Sequence, residues 1–74
     1  MIPNKYIIID GRTPVMFHHK TLHMAVGEGK NVTSAGFYLI DENGEIITFG
    51  ESLSLMKDSK PEDAGILASL LKRA

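Results

Sequence analysis

Three histidines, His18, His19 and His23, are the residues of this chain best suited to chemistry near neutral pH, where imidazole both binds metals and exchanges protons. On a helix, His19 and His23 stand four residues apart and share a face, the spacing used by two-histidine metal sites. The acidic residue that usually accompanies such a pair is missing. Position 20 is Lys, whose charge opposes a nearby cation, so a third ligand has to come from elsewhere, Asp10 or Glu28 being the candidates. The same spacing equally describes two solvated polar side chains on a short helix. His19 and His23 are therefore the metal candidates, and no cofactor is expected.

Other groupings point less far. Asp10, Glu28 and His23 form an acid–base set only if the fold brings them together in a pocket. A chain of 74 residues has little room for a concave, water-excluding site of its own. Gly27-Glu28-Gly29-Lys30 has the composition of a phosphate loop without its spacing. Asn31 follows the Lys where Ser or Thr is needed, and the segment follows a helix instead of preceding one. Ser34, in Thr33-Ser34-Ala35-Gly36, lacks a nucleophile elbow and reads as a residue entering a strand. No catalytic residue is assigned, and a non-enzymatic role is expected.

Charge separates the two halves of the chain. Residues 1–34 carry Lys5, Arg12, Lys20 and Lys30 against Asp10 and Glu28, a net of +2; residues 35–74 carry seven carboxylates against four cations, a net of −3. Lys5, Arg12, His18, His19, Lys20 and Lys30 are the candidate contacts for nucleic acid, although they do not make the dense basic stripe that such binding usually needs. With no Cys there is neither a disulfide framework nor a thiolate metal site, which fits a reducing compartment. No apolar run approaches the roughly 20 residues that span a bilayer. A cytoplasmic protein without a membrane partner is expected.

The elements that must position these residues follow from hydrophobic pattern and turn chemistry. Tyr6-Ile7-Ile8-Ile9 predicts a strand buried on both faces. Asp10-Gly11-Arg12-Thr13 predicts a turn, and Pro14-Val15-Met16-Phe17 an edge strand folded back on the first. The segment 18–26 allows one short amphipathic helix, ended by Gly27 and Gly29, with 27–34 as a loop. Phe37 to Phe49 predicts a hairpin about Asn43-Gly44. A two-residue loop places Tyr38, Ile40, Ile47 and Phe49 on one core face but sets Glu42 against Glu45; a longer loop starting at Asp41 avoids that repulsion. Leu53 and Leu55 alternate with serines as in an edge strand, and Met56 breaks the pattern. Ser59-Lys60-Pro61-Glu62 predicts a capping box opening a helix whose apolar face is Ala64, Leu67, Leu70, Leu71 and Ala74, with Lys72 and Arg73 suited to its C-terminal end.

The segments Lys5 to Val15, Thr33 to Phe37, Gly50-Glu51-Ser52 and Ser59 to Asp63 resemble small uncharacterised bacterial or prophage-encoded proteins. The resemblance covers most of the chain and implies an accessory protein of a mobile element. It carries no functional residue with it.

The expected architecture is a single α+β domain over residues 1–74. It has an antiparallel sheet of three to four strands, a C-terminal helix packed on one face, and a short helix near residues 18–26. Leu67, Leu70 and Leu71 are expected to meet Ile7, Ile9, Ile40 and Ile47. Apolar residues on both faces of the hairpin imply further cover, from a homo-oligomer or another protein. The leading expectation is a non-catalytic interaction module. Nucleic-acid binding through the basic segment, and a metal-dependent or hydrolytic activity at His19 and His23, are the alternatives.

Overall fold

The computed structural model describes residues 2–72. It is an α+β fold in the order β1 (Asn4–Ile9), β2 (Thr13–Phe17), α1 (His23–Gly27), β3 (Val32–Ile40), β4 (Ile46–Phe49), β5 (Glu51–Ser52), β6 (Lys57–Asp58) and α2 (Asp63–Lys72). The first four strands form one antiparallel sheet in the order β2-β1-β3-β4, and β5 and β6 form a separate two-stranded ribbon. Arg73 and Ala74, expected at the end of the last helix, lie outside the described residues.

The central strands are β1 and β3, and β1 is the apolar run buried on both faces. Alternation along β1 sends Tyr6 and Ile8 to one face and Ile7 and Ile9 to the other. Tyr6 and Ile8 pack with Leu67 of α2, flanked by Met16, Tyr38, Ile46 and Ile66. Ile7 packs with Val32 and Ala35, flanked by Ile9, Val15, Phe17, Val26 and Leu55. The expected partners of α2 are thus corrected by one position in β1. Leu67 alone is buried, and Leu70 and Leu71 lie at the exposed margins of the helix.

The β3–β4 hairpin takes the longer loop. Ile40 faces Ile46, Leu39 faces Ile47, Tyr38 faces Thr48 and Phe37 faces Phe49. Asp41 closes the loop: its N–H donates to the Glu45 carbonyl at 2.9 Å, and its Oδ1 accepts from the N–H groups of Asn43 and Glu45, each at 2.9 Å. Gly44, at φ +81°, supplies the left-handed residue that this loop requires. Glu42 and Glu45 no longer face each other. The one-residue slip turns Ile47 and Phe49 to the face away from α2, so the two-residue register and its core face are overturned.

β3 contains a bulge, because Ile8 pairs with Ser34 while Ile9 pairs with Val32. The extra residue, Thr33, uses its hydroxyl twice, accepting from Gly11 N–H at 2.9 Å and donating to the Ile8 carbonyl at 3.2 Å. The strand therefore starts at Val32, five residues after α1, and the expected loop over 27–34 is shorter than its composition suggests. Leu53 to Met56 form the turn between β5 and β6 and not an edge strand. Met56 N–H donates to Leu53 C=O at 3.2 Å, and the Ser52 hydroxyl receives Leu55 N–H at 3.4 Å.

The cap of α2 also sits one residue later than expected. Asp63 reaches back to the Lys60 N–H at 2.9 Å, the reciprocal bond of a capping box, in place of the expected Ser59 and Glu62 pair. Asp63 lies in the first turn, where the helix dipole favours negative charge.

Candidate functional site

The three histidines occupy three different environments. The helix begins at His23, so His19 lies before it and the four-residue helical spacing is not formed. His19 is held by Asn4, whose Oδ1 accepts from the His19 backbone N–H at 3.2 Å and lies 3.3 Å from its Nδ1. The His18 and His19 rings lie 4.1 Å apart, tilted by 31°, and His18 Nδ1 accepts from Lys20 N–H at 3.2 Å. His23 points inward and is 5 % exposed. Among the described residues, no group of three or more His, Asp or Glu side chains is arranged to hold a metal ion.

His23 fastens α1 to the sheet. Its Nε2 lies 2.8 Å from the Gly36 carbonyl, and because a carbonyl only accepts, Nε2 carries the proton. The ring meets Phe17 of β2 and Phe37 of β3 edge to face, at 5.5 and 5.6 Å. Burial among these rings lowers its pKa below the ordinary imidazole value; the Gly36 bond opposes the shift and the Lys5 charge adds to it. Gly36 is required at this junction, since a methyl group there would stand 2.6 Å from the Phe49 carbonyl oxygen.

The acid–base set is engaged piecewise. Asp10 accepts from the Asn31 amide at 3.0 Å, Glu28 follows α1 at the surface, and His23 is turned into the core. The six candidate nucleic-acid contacts fall into two groups at opposite ends of β1. Lys5 donates to the Thr21 carbonyl at 3.0 Å and so stands with the segment holding His18, His19 and Lys20. Arg12 lies in the turn after β1, and Lys30 adjoins Asn31, whose carbonyl accepts the Asp10 N–H. From Lys5 to Asp10 the strand runs roughly 17 Å, so the cations form two small groups and not one track.

A polar cluster that the sequence did not single out lies between the sheet and α2. Asp63, 1 % exposed, accepts from the Tyr6 hydroxyl, from the Ser34 hydroxyl at 2.9 Å and from Lys60 N–H. Burial, then the bond to Asp63 and its charge, push the Tyr6 phenol well above its ordinary pKa, while the Thr48 and Ser59 hydroxyls act in the opposite direction. Every group in the cluster is matched, and no buried side-chain N or O atom among the described residues lacks a partner. The arrangement ties β1, β3 and α2 together. Its signals in the sequence were a Tyr in an otherwise aliphatic strand and a second acid after Pro61.

The most distinctive surface lies on the other side of the sheet, where α1 meets the β5–β6 ribbon. An open groove of about 560 Å³ is lined by Leu22, Met24, Ala25, Leu55 and the 27–29 segment, and is predominantly apolar. Beside it the ribbon tip carries Leu53, 80 % exposed, and Met56, 89 % exposed. Met56 has φ +55°, a left-handed conformation that disfavours a residue with a side chain. Leu55, between them, turns inward and wedges against Val32 and Gly27. No described helix is long and apolar enough to cross a membrane.

No family model, curated protein or solved structure matches this chain.

Proposed function

We propose that the chain is a non-catalytic protein-interaction module whose contact surface is the groove beside α1 together with the β5–β6 tip. The observation that carries this reading is Met56. Its backbone conformation suits Gly or Asn, and its side chain is almost wholly in water, so neither local conformation nor packing within the chain accounts for a large apolar residue there. Leu53 is exposed beside Met56, and Leu22 and Met24 are exposed in the groove that Leu55 of the same turn lines. Exposed apolar surface of this kind supports a binding role, and Met is well suited to it because its flexible thioether adapts to a partner. The resemblance to small bacterial and prophage-encoded proteins fits an accessory role.

The test is site-specific photo-crosslinking in the native host. A photoreactive amino acid at position 53 is expected to give a discrete protein adduct, whereas the same group at position 42, in the polar β3–β4 turn, gives none. Failure of position 53 to give an adduct above that control overturns the reading.

A further inference from the structure

We infer that Asn43 is a site of spontaneous, irreversible deamidation, and that the Asp41 side chain sets its rate by holding the β3–β4 turn closed. This modification is independent of the contact surface beside α1. The chain has three asparagines, Asn4, Asn31 and Asn43. The Asn4 amide oxygen accepts from His19 N–H at 3.2 Å, and the Asn31 amide donates to Asp10 at 3.0 Å. The Asn43 amide is exposed and makes no hydrogen bond among the described residues, and Asn43 alone is followed by Gly. Deamidation requires the backbone nitrogen of the next residue to approach the amide carbon. Lys5 and Val32, which follow the other two, lie in β1 and β3. Gly44 lies in an open loop, and no atom beyond its chain neighbours stands within 4 Å of where a Cβ would be.

In the first step the Gly44 nitrogen gives up its proton and bonds to Asn43 Cγ, the Cγ–Nδ2 bond breaks, and Nδ2 leaves with that proton as ammonia. Water then opens the resulting succinimide. Opening at Cγ leaves aspartate, and opening at the backbone carbonyl leaves isoaspartate, whose main chain runs through the side-chain carbon. Either product adds a carboxylate to a turn that already holds Asp41, Glu42 and Glu45. The closed turn opposes the first step. Gly44 N–H is committed to the Asp41 carbonyl at 3.0 Å, and Asp41 Oδ1 holds the N–H groups of Asn43 and Glu45, on either side of Gly44, at 2.9 Å. Attack therefore proceeds from the opened turn, and the Asp41 bonds fix how often that state is reached.

The test is peptide mapping by mass spectrometry of the full chain, incubated folded at mildly alkaline pH, with the same chain in urea as the unfolded reference. Circular dichroism confirms the fold of each variant. Conversion at Asn43 is expected in the folded chain, more slowly than in urea, while Asn4 and Asn31 stay amides. Asp41→Ala removes two side-chain hydrogen bonds from the turn and is expected to raise the folded-state rate about tenfold. Asp41→Asn keeps an oxygen acceptor and is expected to stay within about threefold of the wild type. A folded wild type that keeps its Asn43 amide while the urea-treated chain converts fully overturns the inference. So does conversion of Asn4 or Asn31 as fast as Asn43, and equal rates in the wild type and Asp41→Ala overturn the role of Asp41. The comparison of folded and urea-treated wild type needs no variant, so it decides the site even where Asp41→Ala does not fold.

Discussion

The two faces of the central sheet are closed by opposite means. Toward α2, a buried carboxylate collects the Tyr6 and Ser34 hydroxyls and a helix-end N–H, and Leu67 covers the apolar remainder. Toward α1, the buried polar side chains are separate: His23 is bonded to one carbonyl between two aromatic rings, and Ser52 lies in the ribbon. The first face is sealed by a helix of ten residues, the second by a helix of five and a short ribbon. A short helix depends on packing for its stability and cannot cover a wide sheet. Ile47, Phe49, Leu22 and Met24 accordingly remain in water on that side. Both faces carry a buried apolar cluster, and the second is the less completely covered.

The sharpest way to break this contrast is Asp63→Ala. It leaves two buried hydroxyls and the Lys60 N–H without an acceptor, and a loss of about 3–5 kcal/mol is expected in urea unfolding. A domain of this length has only about 4–10 kcal/mol in total, so the variant is expected to be partly unfolded at 25 °C. A loss below about 1 kcal/mol shows that the cluster is not what anchors α2.

A smaller effect is expected from pH, and it separates the faces by direction. His23 has a folded pKa below that of the unfolded chain, so the unfolded state binds more protons once pH falls through about 6.5, and stability declines toward acid. Tyr6 has a raised folded pKa, so its contribution is intact below about 10 and is lost as pH climbs above that value. Thermal unfolding of the wild type against His23→Phe between about pH 7 and 5 isolates the first limb; a wild-type midpoint that tracks the variant's sinks the assignment. Tyr6→Phe does the same for the alkaline limb.

The smallest effect is expected at the ribbon tip. Met56→Gly relieves a left-handed residue and removes an exposed apolar side chain, and a gain of about 0.5–1 kcal/mol in stability is expected. If stability falls instead, Met56 serves the fold, and the reading of the tip as a contact surface loses its main support.

Much of the fold was legible from local pattern. The β1 run, the Asp10-Gly11 turn, the β3–β4 hairpin and the α2 helix each have a signal contained within a few residues. What was not legible depended on single-residue offsets. Of the two hairpin loops that the sequence allowed, the longer one starting at Asp41 is formed, and it puts Ile46 and Thr48, in place of Ile47 and Phe49, on the α2 face. Likewise Ser59 and Glu62 have a capping-box spacing, while Asp63 makes the bond because Tyr6 and Ser34 also require its carboxylate. Among the candidate site residues, His19 and His23 have a helical spacing that α1 is too short to realise.

By itself the sequence determined the class of the fold and its strand-forming segments, since strand period and turn residues act over a few positions. Only the tertiary structure decided which residues face α2, that a Tyr, a Ser and an Asp distant in the chain share one buried cluster, and that Leu22, Met24 and Leu55 line one groove. Those outcomes depend on strand register and on which donors reach one acceptor, and both are properties of the assembled sheet and helix and not of any segment alone.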